Sequence, residues 1–109
     1  MQIAEERIGT DVVLRPHGRL DGTTAVDFEH ALLARLDPPP RRLVLDLAGL
    51  EYVSSAGLRA ILVAAKRAKG VGVSLGVCCA RDHIREVFEV SGFGSVLSLH
   101  ATLQQALES

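Results

Sequence analysis

The spacing of apolar residues changes several times along the chain, and each change predicts a different element. Residues 12–17 alternate between two faces, which predicts a short strand, and Pro16 places this strand near a sheet edge or at a bend because proline cannot donate a hydrogen bond. Residues 43–47 are nearly continuously apolar, as in a central strand that is covered on both faces and parallel to its neighbours. Residues 71–78 alternate strictly between bulky and small side chains, which predicts a strand with one face open to close approach.

Two weaker patterns complete the predicted sheet. Residues 1–8 can pair with the first strand through a hairpin turn of three to four residues that contains Gly9 and Asp11. Residues 96–99 indicate one more short strand near the end of the chain.

The clearest helix is predicted for residues 57–69, with Gly70 as its stop. Its apolar residues recur at the helical period and predict a buried stripe. That stripe comprises Leu58, Ile61, Leu62, Ala65 and Ala68. An earlier helix is predicted to begin near Thr24 and to end before prolines 38–40. Thr24 and Asp27 have the spacing of a capping box, which supports this start.

Two shorter helices are predicted in the last third of the chain. Asp82 is a candidate N-cap for one of them, which Ser91 and Gly92 would close. Residues 102–107 are predicted to form a last helical turn or two. Because helices and strands alternate from residue 23 onward, the 109 residues are predicted to form a single α/β domain with parallel strand pairs and right-handed crossovers.

Composition and charge exclude several classes of protein. With 48% hydrophobic and 23% charged residues, the chain has the composition of a globular domain. Its formal net charge of −1 lacks the basic excess of a nucleic-acid-binding protein. No apolar stretch is long enough to span a bilayer and the first ten residues lack a signal core, so we expect a cytoplasmic protein without direct membrane insertion.

The residue types that usually carry catalysis are dispersed in this sequence. The four histidines lie in separate elements, without the spacing of a metal site, and no phosphate-binding loop is present. Cys78 and Cys79 are adjacent, which matches no zinc motif, and we expect them to point to opposite faces as reduced packing residues. The sequence therefore predicts no enzyme, no metal and no cofactor.

The segment from Leu43 to Leu58 runs from the central strand into the start of the clearest helix, where unpaired N–H groups and the helix dipole stabilise negative charge. A serine hydrolase would need Gly where Val53 stands, together with a nearby histidine. Ser54 or Ser55 is predicted to cap the helix, and a serine at such a position that also faces solvent is a natural target for a kinase.

At this point the chain resembles a known family, the STAS domain of bacterial anti-sigma factor antagonists. The resemblance spans about residues 12–107 and rests on four motifs in the family's order. These are Gly18-Arg19-Leu20-Asp21, Leu43-Val44-Leu45-Asp46-Leu47, Tyr52-Val53-Ser54-Ser55-Ala56-Gly57-Leu58-Arg59, and Val87-Phe88-Glu89-Val90-Ser91-Gly92-Phe93.

The resemblance implies a small mixed sheet of four to five strands, with about four helices packed mainly on one face. It also implies a switch in which a serine kinase, which binds ATP itself and is also the anti-sigma factor, phosphorylates a serine at the start of the second helix. The dephosphorylated protein binds that kinase and so frees a sigma factor, and a serine phosphatase would reverse the modification. The family's phosphorylated serine falls on Ser55, although Ser54 stands where the family usually has Asp and Ala56 where it usually has Ser or Thr.

A partner surface is predicted next to this serine. Five residues of the second helix lie off the predicted buried stripe, and so weakly polar a face indicates either a docking surface or a cover by a neighbouring segment. Together with the motif residues they form the predicted partner-binding set of Asp21, Ser54, Ser55, Ala56, Gly57, Arg59, Ala60, Val63, Ala64 and Arg67.

Two other functions remain open at this stage. STAS-like domains also serve as accessory subunits of lipid and anion transporters, and Ser54 and Ala56 leave that alternative open. A small-molecule binder could use the small-sided strand face of Gly72, Ser74 and Gly76, but no polar constellation supports it.

Overall fold

The computed structural model describes residues 1–92, 94 and 96–108, so Phe93, the last residue of the family-like motifs, lies outside the described residues. Within these ranges six strands form one mixed sheet with the order β1-β2-β3-β5-β6, and β4 pairs with β2. Only β1 is antiparallel to its neighbour. The strands are β1 (Gln2–Ile8), β2 (Asp11–Leu20), β3 (Arg42–Asp46), β4 (Leu50–Val53), β5 (Ser74–Cys78) and β6 (Ser98–His100).

Four helices pack on this sheet within the described ranges. They are α1 (Ala25–Ala34), α2 (Ser55–Gly70), α3 (Asp82–Val90) and α4 (Leu103–Glu108). The larger core joins α1, α2 and α3 to one face of the sheet, and it contains Phe28, Ile61 and Phe88. A smaller cluster joins Ala106 of α4 to Val13 and Val44 on the opposite face. The predicted architecture, with helices mainly on one face, is confirmed. The sheet has six strands instead of the predicted four to five.

The extra strand is β4, which lies between the central strand and the long helix, where the sequence pattern predicts no strand. Its two end residues, Leu50 and Val53, are buried, whereas Glu51 and Tyr52 between them are exposed. Four residues with this order give no period-two signal, so the strand is visible only from its pairing with β2. A bulge at Gly18, which has a φ of 103°, sets that pairing.

The short length and the edge position predicted for β2 are wrong, whereas the alternative of a bend at Pro16 stays a prediction. β2 has ten residues and lies between β1 and β3, and the edge position belongs to β1. Pro16 lies between the pairing with β3, which ends at Leu14, and the pairing with β4, which begins at Gly18. The missing N–H group of proline therefore interrupts neither parallel ladder.

Several predicted element ends shift in the structure. Ile8 pairs with Asp11, so the first hairpin turn has two residues instead of three to four. α2 continues through Gly70, and the left-handed residue after it is Gly72, with a φ of 78°. Consequently β5 begins only at Ser74.

The predicted helix caps are only partly correct. Thr24 precedes α1 but makes no side-chain cap, because its hydroxyl accepts from the Asp21 N–H at 3.0 Å and donates to the Arg19 carbonyl oxygen at 3.0 Å. Arg81, and not Asp82, is the N-cap of α3. Gly92, with a φ of 71°, follows α3 as predicted.

Candidate partner-binding site

The two serines at the start of α2 have different roles. Ser54 is the N-cap, since its Oγ accepts from the Gly57 N–H at 3.2 Å, and its own N–H donates to the Leu20 carbonyl oxygen at 2.9 Å. Ser55 is the first helical residue and is exposed, and its hydroxyl forms no hydrogen bond to any described residue. The hydroxyl of Ser55 is therefore accessible, whereas the hydroxyl of Ser54 caps the helix.

Gly57 fixes the position of this helix start against β2. A Cβ atom at Gly57 would lie 2.7 Å from Cγ and 2.9 Å from the carbonyl oxygen of Leu20, so a larger residue cannot fit without movement. Leu20 is followed directly by Asp21. The close approach therefore brings the turn after β2 next to the start of α2.

Asp21 stabilises that turn with its carboxylate. Its Oδ1 accepts from the backbone N–H of Thr23 at 3.0 Å and from the Thr23 hydroxyl at 2.7 Å. These bonds lower the pKa of the Asp21 carboxyl below its ordinary value, with a smaller contribution from Arg19. Asp21 therefore carries a negative charge at neutral pH, and it directly follows Leu20, which contacts the start of α2.

A further pair of side chains borders the site and was missed by the sequence analysis. Arg19 on β2 is paired in register with Tyr52 on β4, and its guanidinium lies 4.3 Å from the centre of the Tyr52 ring. Both side chains are exposed. The pairing could not be predicted because it depends on β4.

The predicted partner surface on α2 requires a correction. Ala60 and Ala64 are buried, with 2% and 0% exposure, and Gly57 is buried as well, so these three residues are not part of an open face. α1 packs against α2. For these residues the alternative prediction, a helix face covered by a neighbouring segment, is therefore correct. Conversely Leu58 and Leu62, predicted to be buried, are only half-buried.

The remaining exposed residues form a narrower surface. Four of them recur at a spacing of four residues and so lie along one line of the helix. We call this line, Ser55, Arg59, Val63 and Arg67, the α2 ridge; all four residues are exposed. Ala56 beside it is exposed too.

The α2 ridge lies on a strongly basic helix. α2 contains Arg59, Lys66, Arg67 and Lys69, all exposed, and no acidic residue between Ser55 and Gly70. The chain as a whole has a net charge of −1. This positive charge is therefore a local property of the helix that follows Ser55.

A second group of side chains, with atoms that could bind a metal, lies on the sheet face opposite α2. Cys78 and Cys79 do not point to opposite faces, because Cys79 has a left-handed backbone, with a φ of 63°, and the two Sγ atoms are 3.4 Å apart. Burial raises the pKa of the Cys78 thiol above its ordinary value. Together with Asp46 they are the one group of three potential metal ligands among the described residues.

The four histidines stay dispersed, as predicted. His83 contacts the Glu51 carbonyl oxygen at 3.0 Å, His100 contacts the Ser98 hydroxyl at 2.9 Å, and His17 packs against Gly49. In the described part of the chain no helix has the length and hydropathy needed to cross a membrane.

Comparison with known proteins identifies the family. The STAS domain model matches residues 2–106. BtrV of Bordetella bronchiseptica, named as a candidate anti-sigma factor antagonist, is 40% identical over 96 residues, which cover 88% of this chain and 83% of BtrV. The anti-sigma-F factor antagonist RsfB of Mycobacterium tuberculosis is 33% identical over 95 residues, which cover 87% of this chain and 77% of RsfB.

Solved structures agree with these sequence matches. The crystal structure of an anti-sigma factor antagonist from Mycobacterium paratuberculosis superposes with a TM-score of 0.84 at 25% identity, covering 98% of this chain and 91% of that one. The chain therefore belongs to the STAS domain family, in its group of anti-sigma factor antagonists. The family membership predicted from the four motifs is confirmed.

Proposed function

We propose that the protein is an anti-sigma factor antagonist that binds an anti-sigma factor through the α2 ridge and releases it when Ser55 is phosphorylated. The proposal rests on the different roles of the two serines at the start of α2. Ser54 is engaged in capping, whereas the hydroxyl of Ser55 is exposed at the first position of a helix that follows a fixed turn. The relatives' names support the antagonist over an accessory subunit of a transporter.

The start of α2 can accept a phosphate without unfolding. A phosphate on Ser55 would lie at the positive end of the helix dipole, where the first-turn N–H groups face it. Arg59 is four residues further along the same face, at the spacing that brings charged helical side chains together. The modified helix is therefore expected to be at least as stable as the unmodified one.

The same phosphate is incompatible with a dry interface over the ridge. The unmodified ridge presents one apolar side chain, Val63, between Arg59 and Arg67. An acidic surface on the partner would complement these arginines, and Val63 would be buried at its centre. Adding close to two negative charges at Ser55 would repel the acidic partner and leave a desolvated charge.

This mechanism assigns no catalytic step to the protein itself. The anti-sigma factor acts as the serine kinase and supplies the bound ATP, and a serine phosphatase restores the hydroxyl of Ser55. Asp21 and Ser54 fix the geometry of the site through their hydrogen bonds. They lie at its margin, where Ala56 is also exposed. The switch operates in the cytoplasm, where a sigma factor is used.

Phosphate mapping tests the assignment of Ser55. The protein is incubated with its cognate kinase and ATP, and the modified peptide is identified by mass spectrometry, with Ser54→Ala and Ser55→Ala in parallel. We expect modification of the wild type and of Ser54→Ala, and none of Ser55→Ala. Phosphate on Ser54, or on neither serine, would reject the proposal.

A further inference from the structure

A cluster of three ligand atoms lies at the carboxyl ends of two central strands, away from the α2 ridge. Asp46 is the last residue of β3 and Cys78 the last residue of β5, and the two are paired in register. Cys79 follows directly. One carboxylate oxygen and the two Sγ atoms all lie within 4.8 Å of one another, and the two Sγ atoms are 3.4 Å apart.

The backbone of Cys79 is what brings the two thiols together. In a continued strand the side chains of adjacent residues point to opposite faces. Cys79 instead has a φ of 63°, which costs a residue other than glycine about 1 kcal/mol or more. Such strained residues cluster at sites with a function, and here the strain directs the second thiol towards the first.

We propose that Cys78, Cys79 and Asp46 bind one Zn²⁺ ion. Thiolate sulfur and carboxylate oxygen are both usual zinc ligands, and two thiolates on one zinc ion lie roughly 3.8 Å apart when each Zn–S bond is about 2.3 Å. The Sγ separation in the protein needs only a small adjustment to reach that value. Hard ions such as Mg²⁺ and Ca²⁺ prefer sites composed of oxygen alone.

The charges around the cluster favour a divalent ion. Arg15, whose Nε donates to Asp46 Oδ2 at 3.1 Å, partly offsets the Asp46 carboxylate, although it also pairs with Glu6 at 2.9 Å. The two thiolates therefore need a divalent ion for their own two negative charges, and copper(I) would offset only one of them. Binding converts two thiols to thiolates and releases their two protons to the solvent.

The cluster lies in the small apolar core under α4 and reaches solvent on the Cys79 side. Cys78 is fully buried, but Cys79 is only half-buried and gives the ion a path from solvent. Asp46 Oδ1 accepts from the Ala48 N–H at 3.1 Å, a bond that fixes the carboxylate in place. A water molecule at the open side would complete four-coordinate geometry.

Metal titration of the reduced, chelator-treated protein tests the site. Zn²⁺ binding is measured by calorimetry in buffers of different ionisation enthalpy, and Cd²⁺ binding by the thiolate-to-metal absorption band. We expect one ion per chain with a Kd tighter than about 1 µM and the release of about two protons. Zn²⁺ should also raise the thermal unfolding midpoint, since it binds the folded state.

Three variants separate this site from surface binding. Cys79→Ser keeps a small polar residue at the left-handed position and should weaken Zn²⁺ binding at least about 100-fold. Asp46→Asn retains an acceptor for Ala48 and should weaken it about tenfold. Glu86→Gln, which alters an exposed carboxylate on α3, should leave binding unchanged.

Two results would overturn the proposal. One is wild-type affinity in folded Cys79→Ser protein. The other is the absence of a thiolate-to-cadmium band in the wild type, which needs no variant and therefore holds even if a substitution impairs folding.

Discussion

Gly57 lies against Leu20: a Cβ atom at residue 57 would lie 2.7 Å from Cγ and 2.9 Å from the carbonyl oxygen of Leu20. That oxygen already accepts from the Ser54 N–H, so it cannot move freely. The first turn of α2 is therefore fixed against the end of β2 by a residue without a side chain.

Gly57→Ala should accordingly destabilise the protein by about 1–3 kcal/mol, because the added methyl group meets backbone that cannot yield. Binding to the anti-sigma factor should weaken as well, since the start of α2 must shift. Gly70→Ala is the matched control. Gly70 ends the same helix with nothing within 4 Å of a new Cβ atom, so alanine should be neutral or stabilising by about 0.5–1 kcal/mol. Urea unfolding measures the free energy of unfolding of both variants, and an equal change in the two would contradict this prediction.

Substitutions at the two serines should change the free energy of unfolding by different amounts. Ser54→Ala removes the side-chain acceptor of the Gly57 N–H and should cost about 1 kcal/mol in the free energy of unfolding. Ser55→Ala removes a hydroxyl without a partner among the described residues and should change it by less than about 0.5 kcal/mol. Ser54→Asp, which restores the residue usual in the family, should keep wild-type stability because aspartate also caps helices. A larger loss for Ser55→Ala than for Ser54→Ala would reverse the assigned roles.

The elements with the strongest periodicity were predictable from the sequence. Residues 43–47 and 57–69 gave the central strand and the long helix with small errors at their ends. The four motifs also placed Ser55 at the start of that helix. Local pattern was sufficient here because these elements bury a continuous face.

Other features depend on contacts between distant segments and could not be predicted. Ala60 and Ala64 carry little hydrophobic signal, and their burial results from the packing of α1 against α2. β4 is defined by its pairing with β2, and the Arg19–Tyr52 contact follows from that pairing. The left-handed backbone of Cys79 has no sequence signature, since such conformations favour glycine and asparagine.

Val63 offers a test of the ridge that does not involve phosphorylation. It is 39% exposed at the centre of the α2 ridge, so Val63→Asp should leave the fold intact. In a complex the new carboxylate would be desolvated against an acidic partner, and binding should weaken about 100-fold or more. Val90→Asp is the control, because Val90 is 84% exposed on α3 and lies off the ridge. Calorimetric titration against the anti-sigma factor, with circular dichroism of each variant, should find a loss for Val63→Asp alone; equal affinities would exclude the ridge as the docking surface.

Ser55→Asp tests the switch itself, because it places a negative charge where the phosphate would be. In the free protein the charge lies at the positive end of α2 and four residues before Arg59, so the thermal unfolding midpoint should be unchanged or slightly higher. In the complex the same charge would be buried at the N-terminal end of the α2 ridge, and binding to the anti-sigma factor should weaken about 100-fold or more. Ser55→Ala should bind like the wild type and resist inactivation by kinase and ATP. The combination of retained stability with lost binding distinguishes a switch from a folding defect. A Ser55→Asp protein that stays folded and binds as tightly as the wild type would contradict the switch, and the phosphate would then have to act through a different residue.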